Sequence, residues 1–122
     1  MIQTARALNA FFGSFGIPAY SRNNVPPGAR MPYITYELRF PGPLSKTALR
    51  AWVWYPGTAF SGLLEKCGEI ESALRGGASV RTPGGAVRLF ADGRVAFAQE
   101  QPDPDKSVRV MLLSMILHAD TD

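Results

Sequence analysis

Any chemistry in this chain would have to be built from a sparse set of reactive side chains. His118 is the only histidine and Cys67 the only cysteine, so a Ser-His-Asp or Cys-His arrangement must draw on one or both. His118 reads as an exposed residue at a strand end. Cys67 falls on the apolar stripe of a helix, where a free thiol behaves as a small hydrophobe. One Cys and one His are too few for a zinc site made by this chain alone. Asp103 and Asp105 lie in a Pro-Asp-Pro-Asp run without the further oxygen ligands and terminal glutamate of a calcium loop, and read as a polar turn. Gly76-Gly77 and Gly84-Gly85 lack the Gly-Lys-Ser/Thr ending of a phosphate cradle and read as a helix stop and a loop. Glu37 has no neighbouring carboxylate for acid-base work. The expectation is a protein without catalysis, cofactor or metal.

One set of residues does suggest binding. Tyr33, Tyr36, Trp52, Trp54 and Tyr55 interleave with Arg39 and Arg50, a pattern that serves single-stranded nucleic acid when the rings are exposed. Trp52 and Trp54 share one strand face, which is also what packing against helices requires, and core packing is the expected role. No strand carries the aromatic and glycine pattern of an RNA-recognition motif.

The elements that position these residues can be read from periodicity. Ala5, Leu8, Phe12 and Phe15 recur at helical spacing from Ile2 to Phe15, with Gly13 or Gly16 as the stop. A short extended piece, Ile17 to Ser21, precedes a turn at Asn23 to Gly28. Strands are expected at Pro32–Phe40, where Ile34, Tyr36, Leu38 and Phe40 share a face, and at Thr47–Tyr55, pairing as a long hairpin. Phe60, Leu63, Leu64, Cys67, Ile70 and Leu74 make a second helix, N-capped by Thr58 or Ser61 and ended by Gly76-Gly77. Strands then follow at Gly85–Phe90, Val95–Gln99 and Ser107–His118, the first two forming a hairpin at Asp92-Gly93. This order predicts an α+β fold over residues 1–122: one mostly antiparallel sheet with two helices packed on one face.

The last strand is apolar on both sides from Val110 onward: Val110, Leu112 and Ile116 on one, Met111, Leu113, Met115 and Leu117 on the other. A strand covered on one face should alternate apolar with polar. Its second face requires either a neighbouring subunit or a further layer of the same domain. Charge is also polarised. Up to Gly57 six bases face one acid, a net of +5, while from Thr58 seven bases face nine acids, a net of −2, within an overall +3. Such polarity suits nucleic-acid binding, or opposite potentials offered to successive subunits. The amino-terminal residues do not have the design of a signal peptide, and the longest apolar stretch is far short of the ~20 residues that span a bilayer. The expectation is a soluble cytosolic protein.

Ile17-Pro18-Ala19-Tyr20, Val25-Pro26 and Pro32-Tyr33-Ile34-Thr35-Tyr36, followed by the tryptophan-bearing strand and the amphipathic helix Phe60–Leu74, resemble the tail terminator or tail completion proteins of long-tailed bacteriophages and prophages. The resemblance implies an α/β structural virion protein, made in the bacterial cytoplasm, that forms a hexameric ring. Such a ring caps the tail tube, stops its polymerisation and offers a head-joining surface. The implied partners are further copies of itself, the tail tube protein and head-tail connector proteins, with nucleic acid only passing through the lumen and no membrane. The expected subunit or tube interface is Arg39, Phe40, Leu44, Lys46 and Arg50 from the hairpin, with Met111, Leu113 and Met115 from the last strand. A head-closure or neck connector, or a small nucleic-acid-binding module, is the alternative.

Overall fold

A computed structural model of the chain describes residues 2–38 and 46–121. The element order is α1 (Ile2–Gly13), β1 (Ala19–Ser21), a 3-10 turn at Arg22–Asn24, β2 (Tyr33–Leu38), β3 (Lys46–Pro56), α2 (Phe60–Leu74), β4 (Ala78–Thr82), β5 (Gly85–Ala91), β6 (Ala98–Gln101) and β7 (Val108–Thr121). The expected α+β class with one mostly antiparallel sheet is present. Strands run in the order β1-β2-β3-β7-β5-β4, with β6 also paired to β7. Only β1 runs parallel to its neighbour, β2.

Strand β7 is the hub. Along one edge it pairs with the whole of β3, from Lys46 opposite His118 to Pro56 opposite Val108. Along the other edge it pairs first with β6 through residues 110–113 and then with β5 through residues 115–121. The handover occurs at Ser114, whose carbonyl accepts the Asp92 amide (3.1 Å) and whose amide donates to the Phe97 carbonyl (2.9 Å).

The sheet curls around its helices. Helix α2 lies against β3, β7 and β5 at the centre, whereas α1 touches both β1 and β4, the strands at opposite ends of the sheet order. Helix α1 therefore closes the gap between the two edges and covers strand ends that would otherwise invite pairing. Its buried residues are Ala7, Leu8, Phe11 and Phe12, a stripe rotated slightly from the predicted one, because Phe12 stacks on Tyr36 (centroids 5.1 Å apart). From α2, Leu63, Cys67, Ile70 and Leu74 face the sheet. They meet Leu49, Ala51, Val53, Leu113, Met115 and Leu117 in one core. Lys66 of α2 donates to the Phe15 carbonyl (2.6 Å), tying the end of α1 to the second helix.

Three expectations are corrected. Helix α2 begins at Phe60 with Ala59 at the N-cap and no side-chain cap bond. Its entry is set by the preceding turn instead, where Ala59 donates to the Pro56 carbonyl and Gly57 to the Ser107 carbonyl (2.7 Å). A Cβ at Gly57 would sit 2.8 Å from the Lys106 carbonyl oxygen, so only glycine allows this approach. Second, Asp92-Gly93 does not join a hairpin. Strand β7 is fourteen residues long, enough to pair with β5 and β6 in turn, and the two strands lie end to end along it. Third, β4 lies where no strand was predicted, and the tight hairpin is β4–β5, with Thr82 opposite Gly85.

Replacing Phe12 with Ala should cost about 3–5 kcal/mol in denaturant unfolding, because it opens a cavity at the seam α1 closes. Replacing the exposed Leu64 with Ala should change stability by no more than about 0.5 kcal/mol. Equal losses at both positions would contradict this placement of the core.

Candidate functional site

Both helices pack on one face of the sheet, and alternation along each strand assigns the residues to the two sides. The helix-side set is Ile34 and Tyr36 of β2, Leu49, Ala51, Val53 and Tyr55 of β3, and Met111, Leu113, Met115 and Leu117 of β7, all buried. The expectation that Met111, Leu113 and Met115 form an interface is therefore corrected: in register they oppose Val53, Ala51 and Leu49 within the core. The expected interface residue Arg50 is exposed on the other face. Lys46 occupies the first position of β3, opposite His118. Arg39, Phe40 and Leu44 lie outside the described residues.

The other face carries no helix among the described residues. Tyr20 of β1, Tyr33 and Thr35 of β2, Trp52 and Trp54 of β3, and Val110, Leu112 and Ile116 of β7 share it by register. This corrects the expected role of the tryptophans, which face away from the helices; Tyr36 and Tyr55 supply the aromatic packing beneath them. Tyr20 meets Tyr33 edge-on at 5.9 Å between centroids, and Tyr33 lies 6.1 Å from Trp54 at a tilt of 30°.

Polar bonds fix these rings. The Trp54 Nε1–H donates to Thr35 Oγ1 (3.0 Å) and the Trp52 Nε1–H to Gln101 Oε1 (3.1 Å). The Arg22 guanidinium lies over the Trp52 ring, 4.4 Å from its centroid, and pairs with Glu37 at 2.8 Å. Trp52 is only 7% exposed although no helix covers it, because Arg22 and Gln101 close over it. The half-buried Trp54 indole, held by Thr35, presents a rigid surface, and rigid surfaces lose less freedom when a partner binds.

At the centre of this face, beside the handover at Ser114, a cleft of about 310 Å³ is lined by Ala48, Arg50, Arg94, Val95, Gln99 and Leu112 among others. The Asp92 carboxylate builds one wall. It accepts the Arg94 Nε–H and backbone amide and the Nη2–H, at 3.0–3.2 Å, and these hydrogen bonds hold its pKa below the usual carboxylate range. Nearer the far end of the sheet, Arg109 makes two bonds to Glu100 (2.8 and 3.0 Å) and caps the Phe60 ring at 3.8 Å, pinning β6 and β7 to the start of α2. Hydrogen bonding from Arg109 lowers the Glu100 pKa.

The residues weighed for chemistry are kept apart. Cys67 faces the sheet from the helix side, whereas His118 lies on the other face, in register with Arg88 and Lys46, so the sheet separates the two. Burial, with a smaller contribution from Glu71, pushes the Cys67 thiol up to about 12. Asp103 and Asp105 cap their own turns: Asp103 Oδ1 accepts the Asp105 amide (2.8 Å), and Asp105 Oδ1 accepts the Ser107 amide and hydroxyl (2.9 and 2.6 Å). No group of three or more His, Cys, Asp or Glu side chains among the described residues is placed to hold a metal ion. No described helix is long and apolar enough to cross a membrane. No protein-family model matches the chain, and no curated protein matches it.

The Cys67 environment has a measurable consequence. Above its ordinary value of 9.0 the unfolded thiol loses a proton that the native one keeps to about 12. The unfolded state then binds fewer protons, so stability should fall as pH rises through that range. The fall should be shallower in Cys67→Ala. At pH 8 a disulfide reagent should modify the native thiol about a hundredfold more slowly than the denatured one. Equal rates would place Cys67 at the surface.

Proposed function

We propose that this chain is a structural protein of a bacteriophage tail, a terminator that closes into a ring of six copies on the end of the tail tube. In this role it acts by contact and not by catalysis: one surface halts tube growth and another receives the head-joining proteins. Its place is the virion, after assembly in the bacterial cytoplasm.

The observation that carries the reading is the helix-free face of the sheet. Tyr33, Trp54, Leu112 and Ile116 are only half-buried there, and the rings are held rigid by bonds to Thr35 and Gln101 and by Arg22. Apolar and aromatic side chains grouped on an open surface are characteristic of interaction sites. A closed ring of identical subunits also uses two different patches per copy, which suits a domain whose surfaces differ in charge.

A second reading, single-stranded nucleic-acid binding, is favoured by one feature: the row Tyr20, Tyr33 and Trp54 has Arg22 and Arg50 on the same face. Stacking on such a row would weaken steeply with salt.

Electron microscopy and light scattering of the purified protein, alone and with tail tubes, test the first reading. It predicts rings with a central hole, about six subunits in mass, seated on tube ends. A strict monomer at every protein and salt concentration, with no association with tubes, would contradict it.

A further inference from the structure

Among the described residues two large hydrophobic side chains are conspicuously exposed, Leu64 at 48% and Val95 at 50%. They lie on opposite sides of the domain. Leu64 is on the outward stripe of α2, with Glu65, Gly68 and Glu71 at neighbouring helical positions. Leu63, Cys67 and Ile70 of the same helix point into the core. Val95 lines the cleft on the helix-free face of the sheet, together with Arg50, Asp92 and Arg94.

The charge balance around the two differs: acidic around Leu64, and around Val95 two arginines against the single carboxylate of Asp92. Around Leu64 the exposed groups are Glu65 and Glu71, while Glu69 is engaged by Lys66 at 2.9 Å. Around Val95 are Arg50 and Arg94, the latter held in place by its bonds to Asp92. The two surfaces also differ in relief. A Cβ at Gly68 would meet nothing within 4 Å, so the helix surface around it is open and small, and Leu64 stands beside it as a projection. The cleft of about 310 Å³ at Val95 is a recess.

We infer that these two surfaces bind each other between copies: the Leu64 stripe of α2 on one subunit seats in the Arg50–Arg94–Val95 cleft of the next. A patch on one side of the domain that recognises a different patch on the other makes a head-to-tail contact, not a two-fold one. Repetition of that contact with a suitable rotation closes a ring. Apolar contact between Leu64 and Val95 excludes water at the centre, and the flanking Glu–Arg pairs set orientation and reject the wrong pairing. This inference names the subunit contact of the ring proposed above and rests on that reading.

Reversing each side separately, then mixing, tests it. Glu65→Lys with Glu71→Lys breaks the helix surface, and Arg50→Glu with Arg94→Glu breaks the cleft. All four positions are exposed and circular dichroism checks that both variants fold; Arg50→Glu alone, which leaves the Arg94–Asp92 pair intact, should weaken assembly in the same direction. Sedimentation should show each variant alone assembling at a midpoint concentration about tenfold or more above the unmodified protein. In an equimolar mixture the intact surfaces meet each other and the reversed surfaces meet with exchanged charges, so assembly should return. Rings formed equally well by each variant alone, or no recovery on mixing, would overturn the pairing while leaving the ring intact. An unmodified protein that never assembles would remove the ring reading itself. If Arg50→Glu with Arg94→Glu abolishes binding to a fluorescent single-stranded oligonucleotide but leaves assembly unchanged, the cleft belongs to nucleic acid and the pairing is overturned.

Discussion

Strand β7 is hydrogen-bonded along both edges and apolar on both faces, and most other features of the domain answer one of those two facts. Its edges are satisfied by β3 on one side and by β6 and β5 in succession on the other. A strand bonded along both edges leaves few backbone groups unpaired, which is a condition for burying it at all. Its odd-numbered residues are satisfied by α2, and through the curled sheet by α1. Its even-numbered face is satisfied only in part: Val110 is buried, while Leu112 and Ile116 are half-exposed. The unsatisfied remainder is the feature on which the proposed assembly role rests.

Curvature follows from how the helices fit. Helix α1 reaches both terminal strands of the sheet order, so the sheet must bend around the core. The stacking of Phe12 on Tyr36 secures that bend from inside. On the outer side the same sheet presents its aromatic row with the indole N–H groups already bonded internally. A partner meeting those rings has apolar surface and ring faces to bind, with no indole donor left to satisfy. The charges differ between sides as well, with Arg50 and Arg94 around the cleft and Glu65 and Glu71 on α2.

Much of this was legible in the sequence. Helical spacing located α1 and α2, and β-branched and aromatic runs located β2 and β3 within a residue or two. The double apolar pattern of β7 signalled that one helical layer would not cover it. The choice of face was not legible, because Met111, Leu113 and Met115 on one side and Val110, Leu112 and Ile116 on the other are similar in size and polarity. Only the register with Leu49, Ala51 and Val53 decides which set lies under α2. The same register turned Trp52 and Trp54 outward, against the habit of placing the largest rings in the core. Strand β4 escaped detection because Ser79 and Arg81 alternate with half-buried residues too small or too few to stand out. The Asp92-Gly93 turn misled because its local chemistry fits a hairpin, whereas the length of β7, which begins only at Val108, determined the pairing. Leu64 was read as part of the buried stripe of α2, and its exposure is a matter of helix rotation that spacing alone does not resolve.

On assembly into the proposed ring, the helix-free face of the sheet should become covered. Hydroxyl-radical footprinting of dilute and assembled protein measures this residue by residue. Tyr20, Tyr33, Trp54 and Leu112 should lose reactivity on assembly, while Phe12 and Tyr36, already buried, should stay unreactive in both states. Assembled protein in which Tyr33, Trp54 and Leu112 react as readily as in the dilute chain would contradict it.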